Sequence, residues 1–310
     1  MMLNTQGGRQ STAGFAAVIV ATMIWSSWTV VSKLGISADL GAQDLAAIRF
    51  AVSGLISVPI VLWYKPFRTL RLYQILGLAA TGGVPYVLLL YFGFTFAPAS
   101  HAGVLVNGIV PAITIAYRNL ITKTKPRRNE SFGALAILAG VIMVVGVTVN
   151  TANIGYVVGD GLFIAAAFLF AGFLTLNSKW KAGPSAILLS LSLTGAMIYL
   201  PVWWLFLPKT LTHVQLGAIV LQFAYQGLLA PIAGMLLISF ATVRCGSVIV
   251  ATVLSSVPIL SALMAALWLG ETVSVTSWCG ISITTVGILV TIVARDKPLE
   301  VPSLSKETAR

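Results

Sequence analysis

Charge is scarce in this chain. Only 9% of its 310 residues are Asp, Glu, Lys or Arg, while 58% are hydrophobic; a soluble domain carries roughly 25% charged residues. A mean hydropathy of +0.96 agrees, and together these values exclude a soluble globular protein. Acidic residues are scarcest of all. The eight carboxylates (Asp39, Asp44, Glu130, Asp160, Glu271, Asp296, Glu300 and Glu307) fall in loops or near predicted helix ends. A carrier coupled through a buried carboxylate keeps one at mid-depth despite a cost of about 2.5–3.5 kcal/mol on insertion scales. None is available here, which argues against carboxylate-based coupling and against a strongly cationic solute. A neutral or zwitterionic solute moving down its gradient fits better.

Histidine and cysteine are equally sparse, at two residues each. Cys245 and Cys279 are expected near opposite membrane faces, where they cannot pair. No CxxC or CxxCH motif exists, which speaks against redox and haem chemistry, and both read as structural thiols. Metal sites need clustered His, Cys or carboxylate ligands, so no metal and no cofactor is expected. HExxH, GxSxG and paired intramembrane carboxylates are absent, and an enzyme is not expected.

What the chain does have is long apolar runs. An apolar stretch of about 20 residues spans the hydrocarbon core as a helix. Ten are found, at 15–36, 43–63, 72–95, 99–121, 131–150, 158–178, 184–206, 215–241, 245–268 and 274–294. A membrane β-barrel would show alternating strands of roughly ten residues, and runs such as LAILAGVIMVVGV do not alternate. The first run is too long for a signal-peptide core and reads as retained. The fold class is therefore all-α and integral to the lipid bilayer, with ten transmembrane helices.

The formal charge of +11 would point to nucleic acid in a soluble protein, but its distribution gives another answer. With the N-terminus in the cytoplasm, every Lys and Arg except Lys33, Arg49 and Lys209 lies in the N-terminal segment, in or beside an inner loop, or in the C-terminal tail. The positive-inside rule then places both termini in the cytoplasm, and no nucleic-acid partner is expected. The basic loop TKTKPRRNE at 122–130 reads as an orientation determinant. The polar tail from Asp296 onward is expected to be disordered.

The second half repeats the first. Pro111 recurs as Pro258, Gly133 as Gly280 and Gly140 as Gly287, each 147 residues on. Two repeats, 14–150 and 159–295, each crossing five times, must sit in opposite orientations. Two inverted five-helix repeats around a mid-membrane site is a transporter architecture. A mid-helix proline frees a carbonyl and kinks the helix, so Pro111, Pro258 and the Gly82–Pro85 segment are candidate hinges. The paired glycines favour close helix packing.

The membrane interior offers aromatic rings and uncharged hydrogen-bonding groups. Trp25, Trp28 and Ser32 share a face of helix one, and Tyr86 follows the weak point in helix three. Asn107 and Pro111 share a face of helix four, Phe170 and Phe173 lie on helix six, Tyr225 and Gln226 on helix eight, and Ser256 on helix nine. The substrate-binding set expected from these is Trp25, Trp28, Tyr86, Asn107, Phe170, Tyr225, Gln226 and Ser256. Each aromatic competes with simple packing. An amide such as Asn107 or Gln226 needs partners in apolar surroundings, either a neighbouring helix or a substrate. Lys33, Arg49, His101 and Glu271 are assigned to the outer mouth. There the basic groups either snorkel, attract carboxylates, or latch a gate by pairing with Asp39, Asp44 or Glu271. His101 is of the type that titrates near neutrality.

The segments WSSWTVVSK, HAGVLVNGIVPAIT and its echo GSVIVATVLSSVPILSALMAALWLGE, with Glu271 in LWLGE and the closing GISITTVGILV, resemble the EamA branch of the drug/metabolite transporter superfamily. The resemblance runs from Phe15 to Val293. The first repeat departs from it after helix four, where Arg118 and Asn119 replace an LGE-like element. The resemblance implies a bacterial inner-membrane carrier that exports small metabolites by alternating access. It also implies helices one, three, four, six, eight and nine around the cavity, with five and ten peripheral. Neutral amino acids, including aromatic and bulky apolar ones, are the implied substrates, moved in a uniport-like way by a monomer or homodimer. Export of lipophilic drugs or other metabolites, with or without proton coupling, is the competing reading.

Overall fold

The computed structural model describes residues 5–150 and 153–293. The polar tail and its four basic residues Arg295, Lys297, Lys306 and Arg310 lie outside the described residues, as does part of the joint between repeats. All regular structure among the described residues is helical. Ten helices are long and apolar enough to cross a bilayer: α1 (Thr12–Ser37), α2 (Ala42–Tyr64), α3 (Leu72–Phe96), α4 (Ala99–Ile121) and α5 (Arg128–Val147), then α6 (Ile154–Trp180), α7 (Pro184–Phe206), α8 (Leu216–Cys245), α9 (Ile249–Leu269) and α10 (Val275–Ile292). Spans of this kind are the only open-chain solution in lipid, where each backbone N–H and C=O must be satisfied within its own segment.

Helices α2, α4 and α6 run toward the same face and end alike. Lys65, Lys123 and Lys181 close them in the left-handed conformation, at φ 49°, 53° and 51°. A lysine here places positive charge at the negative end of the helix dipole. The residues that bias orientation thus also terminate the helices.

The two halves are antiparallel copies. Helix α6 packs on α3 and α4 as α1 packs on α8 and α9. The peripheral helices α5 and α10 meet along a glycine seam in which Gly133 lies against Gly287 and Gly140 against Gly280. Exchanging the copies converts one pair into the other, so the seam has two-fold symmetry. A Cβ at any of the four would strike the opposite backbone, which explains why the recurring residue is glycine.

Five spans are interrupted. Helix α3 breaks at Gly83 and restarts with Pro85 in its first turn. Helix α4 winds as a π-helix over Gly103–Gly108 and restarts at Val110, with Pro111 next. Its counterpart α9 breaks at Ser255 and Ser256 and restarts at Val257, with Pro258 next. The sequence expectation of a proline kinking a continuous helix is therefore corrected. Pro85, Pro111 and Pro258 each occupy a first-turn position, where no backbone N–H is needed. Helix α7 has a π-turn over Leu188–Leu193 and α8 a longer one over Phe223–Ala233 around Pro231. π-helical segments inside α-helices are frequent at functional sites.

The seam makes a direct prediction. Gly140→Ala should lower stability by more than about 1 kcal/mol, because backbone cannot yield as a side chain can. Gly146→Ala on the same helix, where a Cβ meets nothing, should not. Thermal unfolding of the two detergent-solubilised variants checks this.

Candidate functional site

A cavity of about 260 Å³ lies between the halves. Its upper end is Arg49 and Phe50 on α2. Its lower end reaches Asn177 on α6, Ile187 on α7 and Ile238 on α8, close to the helix ends on the face carrying the Lys65–Arg71 and Lys179–Lys181 loops.

The walls are aromatic. Tyr86 and Phe170 stack at 5.1 Å, 20° from parallel, and Phe170 and Phe173 at 5.7 Å and 21°. Trp25 donates from its indole N–H to the Ala230 carbonyl at 3.3 Å, a group in the π-wound part of α8. Two glycines make room for these rings: a Cβ at Gly82 would strike Phe173, and one at Gly234 would strike the Trp25 indole. The polar lining comprises Ser53, Asn107, Asn177, Ser192 and Arg49. The Asn177 side-chain oxygen is buried without a hydrogen-bond partner.

Five of the expected binding residues line this cavity: Trp25, Trp28, Tyr86, Asn107 and Phe170. Tyr225, Gln226 and Ser256 do not. The Tyr225 hydroxyl is 3.2 Å from Ser27 Oγ. Ser256 Oγ donates back to the Val253 carbonyl at 2.7 Å within its own helix, the common habit of a helical serine. Gln226 is fully buried. Its oxygen accepts from Trp28 Nε1 at 2.6 Å and from the Tyr91 hydroxyl at 2.7 Å; its nitrogen donates to Ser32 Oγ at 3.0 Å and to Gln222 Oε1 at 2.9 Å. Both lone pairs and both hydrogens are used, leaving no capacity for a solute. Gln226 joins α8 to α1 and α3.

The resemblance-derived helix set is also corrected. Helices α2 and α7 contribute lining residues, and α9 contributes none.

The outer-mouth set divides. Arg49 is not at the mouth but in the cavity, its guanidinium 5.9 Å from the centre of the Trp28 ring and beside the Tyr91 hydroxyl. Cation–π attraction and phenol contacts there replace the water that a snorkelling arginine would seek. The other three sit beyond Arg49, at the end of the bundle away from the lower reach of the cavity. Lys33 Nζ donates to the carbonyls of Phe94 at 2.6 Å and Ala97 at 3.0 Å, at the C-terminal end of α3. Glu271 accepts from the backbone N–H groups of Ala99 at 2.7 Å and Ser100 at 3.0 Å, at the start of α4. Each charge answers orphan backbone groups of a helix terminus. His101 Nδ1 is 2.8 Å from Asp160 Oδ1, both buried. Of the alternatives, a latch to Asp39 or Asp44 is not what holds Lys33 and His101, while Glu271 lies close enough to attract Lys33. Asp44 is instead held by Trp203 Nε1 at 2.6 Å and by Thr210. Together they close the end of the bundle opposite the cavity's reach.

The sequence signal missed Arg49 as a cavity group, and missed α7 altogether. Ile187, Leu188 and Leu191 carry no mark that separates a cavity wall from lipid-facing surface.

Inverted five-span halves enclosing a cavity of about 260 Å³, with buried polar contacts at one end, define a membrane transporter. The chain belongs to the EamA-like transporter family, whose model matches it twice, over 12–146 and 157–293. It is a transporter and not an enzyme. The chain is 26% identical over 289 residues to the aromatic amino acid exporter YddG of Salmonella typhimurium, covering 88% of this chain and 94% of that protein. It is 25% identical over 284 residues to the protein of the same name in Escherichia coli, covering 84% and 90%. A solved crystal structure matches with a TM-score of 0.63 at 17% identity, over 92% of this chain and 98% of its own length, which shows the fold. Ten apolar spans and bacterial relatives make it a multi-pass inner-membrane protein.

Gln226→Leu should cost about 1–3 kcal/mol for each polar group it strands, Trp28 and Tyr91 first. Ser256→Ala, which removes only a bond within its own helix, should stay within about 0.5 kcal/mol. Thermal unfolding in detergent reads both.

Proposed function

We propose that this protein exports neutral amino acids, aromatic and bulky apolar ones among them, from the cytoplasm by alternating access in a uniport-like cycle. The observation that carries the reading is the cavity itself: stacked aromatic walls, a few uncharged hydrogen-bonding groups and one guanidinium. Its size lies just under the roughly 300 Å³ at which drug-sized sites begin, which suits a single small solute. The names of the two relatives support amino acids and export.

The concentration of Lys and Arg on one face supports both termini in the cytoplasm, so the described state is taken as open inward. In this reading the units 14–150 and 159–295 move against each other. The breaks at Gly82–Pro85, Pro111 and Pro258 absorb the change, and the contacts of Lys33, Glu271 and His101–Asp160 part when the outer side opens. A solute with an aromatic side chain slots among Trp25, Tyr86 and Phe170, while Asn107 offers both a donor and an acceptor to its polar end.

Trp25→Ala and Asn107→Ala are expected to cut counterflow of labelled phenylalanine in proteoliposomes several-fold while leaving the yield of folded protein unchanged. Unaltered counterflow in both would remove these residues from the site. A second reading links export to a proton. Counterflow that is indifferent to an imposed pH gradient rejects that reading and leaves the uniport-like one. Drug export is tested in the same vesicles by competition with a lipophilic cation, which the guanidinium should disfavour.

A further inference from the structure

Among the described residues, Arg49 is a cation lining an apolar cavity whose lining holds no counter-ion. No Asp or Glu lines that space, and the buried carboxylates are committed elsewhere. Asp44 is held by Trp203 and Thr210, Asp160 by His101, Glu130 by Arg118, and Glu271 by the start of α4. Arg49 has the Trp28 face and the tyrosine hydroxyls near it, which soften the cost of a desolvated charge without neutralising it. A guanidinium presents a planar fork that matches a carboxylate bidentately. The ammonium of an amino acid finds no such answer. The cavity offers it only neutral acceptors, among them the oxygens of Asn107 and Asn177.

We infer that this carrier recognises its substrate through the carboxylate and takes little affinity from the amine, so that monocarboxylates bearing an aromatic or bulky apolar group but no amino group are a further class of substrate. The inference rests on the amino-acid reading for the location of the site and goes beyond it in the chemistry recognised. The electrostatics run in one direction. An ammonium two bonds from the carboxylate is repelled by the same guanidinium that binds the carboxylate, and removing it removes that repulsion. A decarboxylated amine brings a second cation into a cavity that already holds one and supplies no anion. The aromatic slot of Tyr86, Phe170 and Phe173 serves all three molecules equally, so side-chain packing cancels from the comparison.

The test uses the full chain in proteoliposomes and three probes sharing one side chain: phenylalanine, 3-phenylpropionate and phenethylamine. Counterflow of labelled phenylalanine is competed with each unlabelled probe. The acid is expected to compete within about threefold of phenylalanine and to be taken up itself when labelled. The amine is expected to be about ten- to hundredfold weaker, the range for a hydrogen bond to a charged group. Phenylalanine counterflow that the acid does not inhibit, or that the amine inhibits as well as the acid, overturns the inference and leaves the amino-acid reading standing. Uptake of labelled phenylpropionate with no phenylalanine counterflow overturns the amino-acid reading and sustains the inference. Absence of any transport or binding of all three overturns both.

Arg49→Gln should collapse the acid-to-amine preference toward unity, and Arg49→Lys should keep part of it, retaining charge without the fork. The preference is a ratio within one preparation, so it does not depend on how much of a variant folds. A wild-type ratio in Arg49→Gln assigns the discrimination to another group and overturns the inference.

Discussion

The bilayer core holds no water to answer a stray polar group, so those buried in this bundle are, apart from oxygens on Ser26, Asn177 and Thr284, answered by another part of the chain. Gln226 is where that constraint binds most tightly. Its amide takes the Trp28 indole and the Tyr91 phenol on one side and Ser32 and Gln222 on the other, while Gln222 reaches the Val31 carbonyl. Helices α1, α3 and α8 are thereby fixed in register around one side chain. The orientation of Trp28 follows, and with it the surface over which the Arg49 guanidinium lies. The cavity's charged end is thus a consequence of how an amide on the adjacent helix α8 satisfies itself.

The same constraint explains the closed end. Helix termini carry unpaired carbonyls and N–H groups, and α3 and α4 meet there across a short turn. Lys33 takes the carbonyls and Glu271 the N–H groups. Opposite charges are used as caps for a backbone break, close enough for Glu271 to attract Lys33. Because such contacts are made to helix ends, parting them exposes backbone that water can solvate, which is a cheaper exchange than separating a bare ion pair in lipid.

Much of the fold was legible in the sequence. The ten apolar runs fall on the ten spans, and the recurring glycines fall on a seam where backbone touches backbone, because only a missing Cβ permits that approach. The prolines were read correctly as interruptions but incorrectly as kinks, since proline is as content in a first turn as it is disruptive in the middle. The π-turns in α4, α7 and α8 left no compositional trace. The site was legible in part. Aromatic residues at mid-depth marked Trp25, Trp28, Tyr86 and Phe170, whereas Gln226 showed the limit of such reasoning: an amide's need for partners is visible in sequence, but not who meets it. Arg49 was misplaced because arginine near a helix end is ordinarily drawn to headgroups, and only the neighbouring Trp28 and Tyr91 hold it inward.

The glycine seam has an implication for origins. It is self-complementary: the edge that α5 offers to α10 is the edge that α10 offers to α5, with the order reversed. A single five-span polypeptide bearing that edge would find its mate in an identical molecule threaded through the membrane the opposite way round, provided its loops let it insert both ways. Joining two such genes end to end would preserve the pairing, free each half to acquire its own loop charges, and leave the cavity lining free to diverge between them, as Arg49 on α2 and the apolar wall of α7 have done.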